Sequence, residues 1–199
     1  MTIHPKTLAA LATGDLSMVC LRCHDPPLQD GDMDELVRAI LMRADKTNNP
    51  LTLLLSDNNL GDSAISTLLA KCSAVTFKYI ELSLNPSLTN SCGASISQLN
   101  VERIGLNSCV EIGDEALAKM SESKSIEILS LADTNITDAG VESVLKMSHL
   151  RYLDIEDNEK VSPEMTRRVE SFNQRKKKDH LTAYAENPRL KTKKVKNEE

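Results

Sequence analysis

The chain has 199 residues and a net charge of −5, with 40% hydrophobic residues, only 3% aromatic ones and no Trp. This length allows one domain or one short repeat array, and a core so poor in rings must be built from Leu, Ile, Val, Ala and Met, which suits thin stacked coils. No apolar run reaches the ~18 residues of a membrane span, and the opening MTIHPKTLAALATGDL lacks the apolar centre of a secretory signal.

In chain order, residues 1–15 hold a helical patch, Thr7 to Leu11, placed to cap the open end of a first coil. Unit one follows with Leu16, Val19, Leu21, His24 and Leu28, then a helix with Leu36, Val37, Ile40 and Leu41 at helical spacing and a KTNNP loop. Unit two has Leu53, Leu55, Asn58 and Leu60, with Ala64, Ile65, Leu68 and Leu69 on one helix face. Unit three has Phe77, Ile80, Leu82, Asn85 and Leu88, with a helix around Ala94, Ile96 and Leu99. Unit four has Val101, Ile104, Leu106, Cys109 and Ile112, then GDEALAKM. Unit five has Ile126, Leu129, Leu131, Thr134 and Ile136, with Val141, Val144 and Leu145 facing inward from its helix. Unit six has Leu150, Leu153, Ile155, Asn158 and Val161, and Ser162 then caps a helix with Pro163 at its first position.

The repeat frame is clearest at 126–136, IEILSLADTNI, which fits L-x-x-L-x-L-x-x-(N/C/T)-x-L. Its Asn-type slot recurs at His24, Asn58, Asn85, Cys109, Thr134 and Asn158, and the last four steps are 27, 24, 25 and 24 residues. That period lies in the ~20–29 range of leucine-rich repeats, whose units need at least ~3 neighbours to bury both faces. The expected fold is therefore an α/β leucine-rich-repeat solenoid, a horseshoe with parallel strands on the concave face and helices on the convex one. Its expected bounds are a cap at 1–15, about six repeats with a C-terminal capping helix at 16–172, and a basic tail at 173–199 that begins as an extension of that helix and fades into disorder. The slot side chains are expected to satisfy backbone groups of adjacent coils.

These units resemble leucine-rich repeats of the ribonuclease-inhibitor-like class. The turn tags Gly61-Asp62, Gly113-Asp114 and Thr137-Asp138-Ala139-Gly140 resemble those of its bacterial effector-type and F-box-associated members. The resemblance implies protein binding on the concave face and no chemistry. Residues 1–15 hold no F-box-like segment, which weighs against a ubiquitin-ligase adaptor.

Strand side chains alternate, so three rows should face out of the concave sheet. The first is Met18, Thr52, Tyr79, Arg103, Ile128 and Tyr152; the second includes Glu81 and Asp154; the third includes Asn107 and Glu156. Tyr and Arg are enriched at binding hot spots. The candidate partner site is thus Tyr79, Arg103, Ile128 and Tyr152, flanked by Glu81, Asn107, Asp154 and Glu156, against the alternative of ordinary solvated strand residues.

Other chemistry is thin. Cys20-Leu21-Arg22-Cys23-His24 matches the C-x-x-C-H haem signature, but its register makes it an edge strand, with no second Cys/His pair at zinc spacing. Five cysteines without a signal indicate reduced thiols. The four His stand in no nucleophile motif, and no phosphate-cradling glycine loop appears. The expectation is a non-enzyme with no metal, cofactor or small-molecule substrate. Residues 173–199 carry nine basic and four acidic residues, against 15 and 25 before them. Arg175, Lys176, Lys177 and Lys178, with Lys193 and Lys194 further on, form two basic clusters. They are read either as a solvated tail or as a tether to nucleic acid, the nucleus or an anionic membrane. The expected location is cytoplasmic or nuclear, and the expected partner is another protein.

Overall fold

The computed structural model describes residues 3–186, with side chains described as far as residue 178. After α1 (Pro5–Ala12), six strands alternate with six helices. The strands are β1 (Met18–Cys20), β2 (Leu51–Leu54), β3 (Phe77–Glu81), β4 (Val101–Gly105), β5 (Ile128–Ser130) and β6 (Tyr152–Asp154). The helices between and after them are α2 (Met33–Ala44), α3 (Asp62–Cys72), α4 (Cys92–Gln98), α5 (Asp114–Met120), α6 (Asp138–Leu145) and α7 (Pro163–Glu186). The strands pair in chain order, each parallel to the next. Parallel neighbours need a crossover, and here each crossover holds one α-helix, preceded in the first by a short 3-10 turn at Asp30–Asp32, so the chain has the α/β architecture of a leucine-rich-repeat solenoid.

The strands exist because of a two-residue alternation: Val19, Leu53, Ile80 and Leu153 are buried between exposed or half-exposed neighbours, and Ile104 and Leu129 follow an exposed or half-exposed residue and precede the small, buried Gly105 and Ser130. A second buried tier follows at Leu21, Leu55, Leu82, Leu106, Leu131 and Ile155. The helices meet them with stripes such as Leu36, Val37 and Ile40, or Ala64, Ile65 and Leu68. Burying one such side chain contributes about 1.5–3 kcal/mol, but a lone unit leaves its flanks wet. The core is accordingly one continuous column from Ile3 to Phe172.

Two expected helix faces are corrected. Leu41 is exposed, because the inward stripe of α2 runs through Leu36, Val37, Ile40 and Arg43. In α4 the buried face is Cys92, Gly93 and Ile96, while Ala94 is exposed and Leu99 follows the helix in an extended conformation. Cys92 and Gly93 face inward because α4 and α5 approach closely: a Cβ on Gly93 would lie 2.7 Å from the Ala116 Cα.

The turn after each strand has one rule. The residue before the slot is left-handed in every unit, at Cys23, Asp57, Leu84, Ser108, Asp133 and Asp157, with φ between 49° and 59°. Asp tolerates this region, whereas a bulky residue does not, so Leu84 is the anomaly.

At the first end, α1 packs on α2 with Ile3 and Leu11 buried. At the last, α7 buries Met165, Val169 and Phe172. Asn173 then finishes the sheet: its Oδ1 accepts from the Leu153 N–H (3.0 Å) and its Nδ2 donates to the Leu153 carbonyl (2.8 Å). Those are the outward groups of the edge strand, which would otherwise offer a template for another chain. The boundary expected after residue 172 therefore falls inside α7. Arg175, Lys176, Lys177 and Lys178 are helical, and Lys193 and Lys194 lie outside the described residues. Among the described residues no helix is long and apolar enough to cross a membrane.

Candidate protein-binding face

Strand register brings the first outward row into one line across the sheet: Met18, Thr52, Tyr79, Arg103, Ile128 and Tyr152 are successive partners. The Arg103 guanidinium carbon lies 4.5 Å from the centre of the Tyr79 ring, a cation–π stack that joins the two side chains across neighbouring strands. Tyr152 is 45% exposed and Ile128 half-buried. Below this row, Lys78 pairs with Glu102 and Arg151 with Glu127 (2.9 Å), cancelling four charges at its edge.

The flanking candidates differ in what they touch. Glu81 does not extend from the sheet. Its carboxylate accepts from the Ser83 N–H (2.9 Å) and hydroxyl, lying over Gly105, where an added Cβ would come 2.6 Å from Oε1. The Ser83 hydroxyl oxygen accepts from the Asn107 N–H (2.9 Å), and Asn107 Oδ1 accepts from the Ala132 N–H (2.9 Å). Glu81 and Asn107 thus join a hydrogen-bonded relay across β3, β4 and β5. Asp154 accepts from the Glu156 N–H (3.2 Å), and Glu156 is exposed.

Behind this face the slot residues form a ladder that reaches backward. Asn58 donates to Leu21, Leu55 and Ser56 carbonyls and accepts from Leu28 N–H (2.9 Å). Asn85 and Asn158 repeat the scheme on the units before them, the latter accepting from both Thr134 N–H and hydroxyl. Cys109 reaches back only through its Sγ to the Leu82 carbonyl (3.4 Å), and Thr134 does not reach back: its hydroxyl shares one hydrogen between the Leu131 carbonyl of its own unit and Asn158 Oδ1, both at 2.9 Å. His24 departs from the expectation. Its ring nitrogen sits 3.0 Å from the Pro26 carbonyl in its own turn, because the first unit has no preceding coil to bond.

A second ladder, not read from the sequence, runs along the helix N-termini. Asp62 accepts from the N–H (2.9 Å) and hydroxyl (2.6 Å) of Thr89, Asp114 from those of Thr137 (2.8 and 2.7 Å), and Asp138 from those of Ser162 (2.8 and 2.7 Å). Asp30 and Asn90 do the same for the N–H groups of Gly61 (2.6 Å) and Gly113 (2.7 Å). Each carboxylate thereby ties its unit to the helix start of the next, where negative charge is favoured. The hydroxyl and then the N–H of Ser162 hold the Asp138 carboxyl below its ordinary pKa. The signal was present as the Gly-Asp and Thr-Asp tags.

Cys20 and Cys23 are exposed, and the Cys23 thiol donates to Asp57 Oδ2 (2.9 Å), which raises its pKa. Among the described residues no His, Cys, Asp and Glu group is arranged to hold a metal. Cys72, Cys92 and Cys109 are buried, and burial pushes their thiols up to about 11, 12 and 11.

A leucine-rich-repeat family model matches residues 122–145, the fifth unit with β5 and α6. No curated protein matches the chain. The match supports a leucine-rich-repeat protein, and arrays of this type commonly bind proteins on their extended concave surfaces.

Proposed function

We propose that the chain is a non-enzymatic protein-binding module, an adaptor, regulator or effector that holds a partner on its concave sheet. The observation that carries this reading is the row from Tyr79 to Tyr152. Two of the chain's three Tyr stand in it beside Arg103. None of these three side chains is buried in the core, so the fold does not require their chemistry there, whereas Tyr and Arg dominate binding hot spots. The ladders and the Glu81–Ser83–Asn107 relay support the reading by keeping the sheet surface rigid, which lowers the ordering cost of association.

Pull-down with mass-spectrometric identification tests it, using the full chain, a Tyr79→Ala/Arg103→Ala/Tyr152→Ala variant, and Lys193→Gln/Lys194→Gln. The expected result is one protein captured by the first and third baits and lost from the second. Capture that follows the Lys variant instead overturns the concave-face reading.

A further inference from the structure

Beside the aromatic row the sheet does not end flush. Between Ile128 and Tyr152 on one side and Asn173, Gln174, Lys176 and Lys177 of α7 on the other runs an open groove of about 580 Å³ with a mostly apolar lining. That volume lies in the ~300–1,000 Å³ range of ligand-sized sites. We infer that this groove receives an extended, acidic segment of the protein partner, seating one apolar or aromatic side chain against Ile128 and Tyr152 while its carboxylates meet Lys176 and Lys177. This rests on the concave-face reading and adds to it where the partner binds and with what chemistry.

Charge makes the choice. Glu102 and Arg151 also line the groove, but each is neutralised, by Lys78 and Glu127 respectively. Lys176 donates to the Ser148 carbonyl (3.1 Å) and stands 5.6 Å from the Phe172 ring centre. Neither Lys176 nor Lys177 meets a carboxylate among the described ion pairs. Two uncompensated cations therefore form one wall of an apolar groove, on a body whose first 172 residues are strongly acidic. The basic cluster that reads as tail in the sequence is, in space, part of the concave rim.

The geometry also excludes other modes. A seventh strand is blocked, because Asn173 already occupies the outward N–H and carbonyl of Leu153; recognition must come from side chains. A nucleic acid strand would need a track of cations along its phosphates, and here the groove presents two uncompensated Lys, Lys176 and Lys177, rather than a track. The wall is fixed in advance by the Asn173 and Lys176 bonds, so binding does not have to order it.

The test is selection of random 12-residue displayed peptides on the full-length chain. The recovered consensus should pair one Leu, Phe, Tyr or Trp with at least one nearby Asp or Glu. The best peptide, synthesised and labelled, should bind at least about tenfold more weakly to Tyr152→Ala and to Lys176→Glu/Lys177→Glu, and more weakly as NaCl rises. Lys177→Glu alone, at an exposed position, serves as the readout if the double variant loses helical signal. No selected peptide, a consensus without acid, or affinity unmoved by the Lys variants would overturn the assignment. So would tighter binding of labelled oligo(dT) than of any selected peptide, with the same Lys dependence. Peptides lost on Tyr79→Ala/Arg103→Ala but indifferent to the Lys variants would sink the groove and leave the concave-face reading standing. Indifference to every one of these variants would sink both.

Discussion

Replacing Asn85 by Ala removes the middle of the backward-reaching ladder. Asn85 is 0% exposed; its Oδ1 accepts from the Leu60 N–H at 3.0 Å, and its Nδ2 donates to the carbonyls of Leu82 and Leu55 at 2.8 and 3.1 Å. The carbonyls each keep another donor, Cys109 Sγ for Leu82 and Asn58 for Leu55, so their share of the loss is about 1 kcal/mol together. The Leu60 N–H has no other partner and is stranded in the core, at a cost of about 1–3 kcal/mol. The expected total is about 2–4 kcal/mol, a large part of the ~5–15 kcal/mol that holds a domain together. Two controls share the slot. Cys109→Ala gives up one long S–H bond and a small apolar volume, so about 1 kcal/mol is expected. His24→Ala removes a bond within one turn and should stay within about 0.5 kcal/mol of the parent. Urea unfolding followed by circular dichroism ranks the three, with the Asn85 midpoint falling by roughly 1 M. If Asn85→Ala costs no more than Cys109→Ala, the ladder does not carry the stability assigned to it.

Other expectations follow from the same contacts. Gly93→Ala should destabilise by about 1–3 kcal/mol, although helix propensity alone favours Ala by about 1 kcal/mol; a thermal melt shifted upward would show that α4 can move off Ala116. Leu84→Asn should raise the urea midpoint, gaining about 0.5–1 kcal/mol by placing a tolerant residue at φ 59°; a lower midpoint would mean that the Leu side chain contributes packing. Cys20 and Cys23 should react with a thiol reagent in the native protein, and Cys72, Cys92 and Cys109 only on unfolding. Asp57→Asn replaces the carboxylate whose hydrogen bond from the thiol, and then whose charge, raises the Cys23 pKa, and should quicken that thiol; unchanged labelling kinetics would contradict the Cys23–Asp57 bond. The carboxyls of Asp34, Asp138 and Glu142 are held below their ordinary range, chiefly by hydrogen bonds from Lys71, Ser162 and Arg168. Because their folded pKa values are depressed, their stabilisation is complete above the ordinary carboxyl pKa of ~4 and is lost as pH falls below it. The urea midpoint should drop between pH 6 and pH 3, less steeply in Asp138→Asn, and an identical pH profile would refute that share.

What the amino-acid order determined by itself was everything set by short-range period. Leu, Ile or Val at every second position of the inward strand tiers and aliphatic residues three and four apart in the helices specify faces locally, without knowledge of the neighbour. Hence the six units, the α/β solenoid and the alignment of Tyr79, Arg103, Ile128 and Tyr152 could be read before any coordinate. The tertiary structure decided what depends on contact between one unit and the next. His24 occupies an Asn-type slot, yet lies outside the ladder because that ladder points toward the N-terminus and the element before the first coil is the helix α1, not another strand-and-turn unit. Glu81 reads as an outward carboxylate, yet folds onto Gly105, because only the adjacent strand reveals a missing Cβ. Asp62, Asp114 and Asp138 read as turn tags and prove to be clamps on residues about one repeat further along. Asn173 and Lys176 read as the start of a polar tail, since polar residues carry no period to mark their side of a helix. Only packing of Met165, Val169 and Phe172 against the last unit brings Asn173 to the open strand and sets Lys176 and Lys177 beside Tyr152.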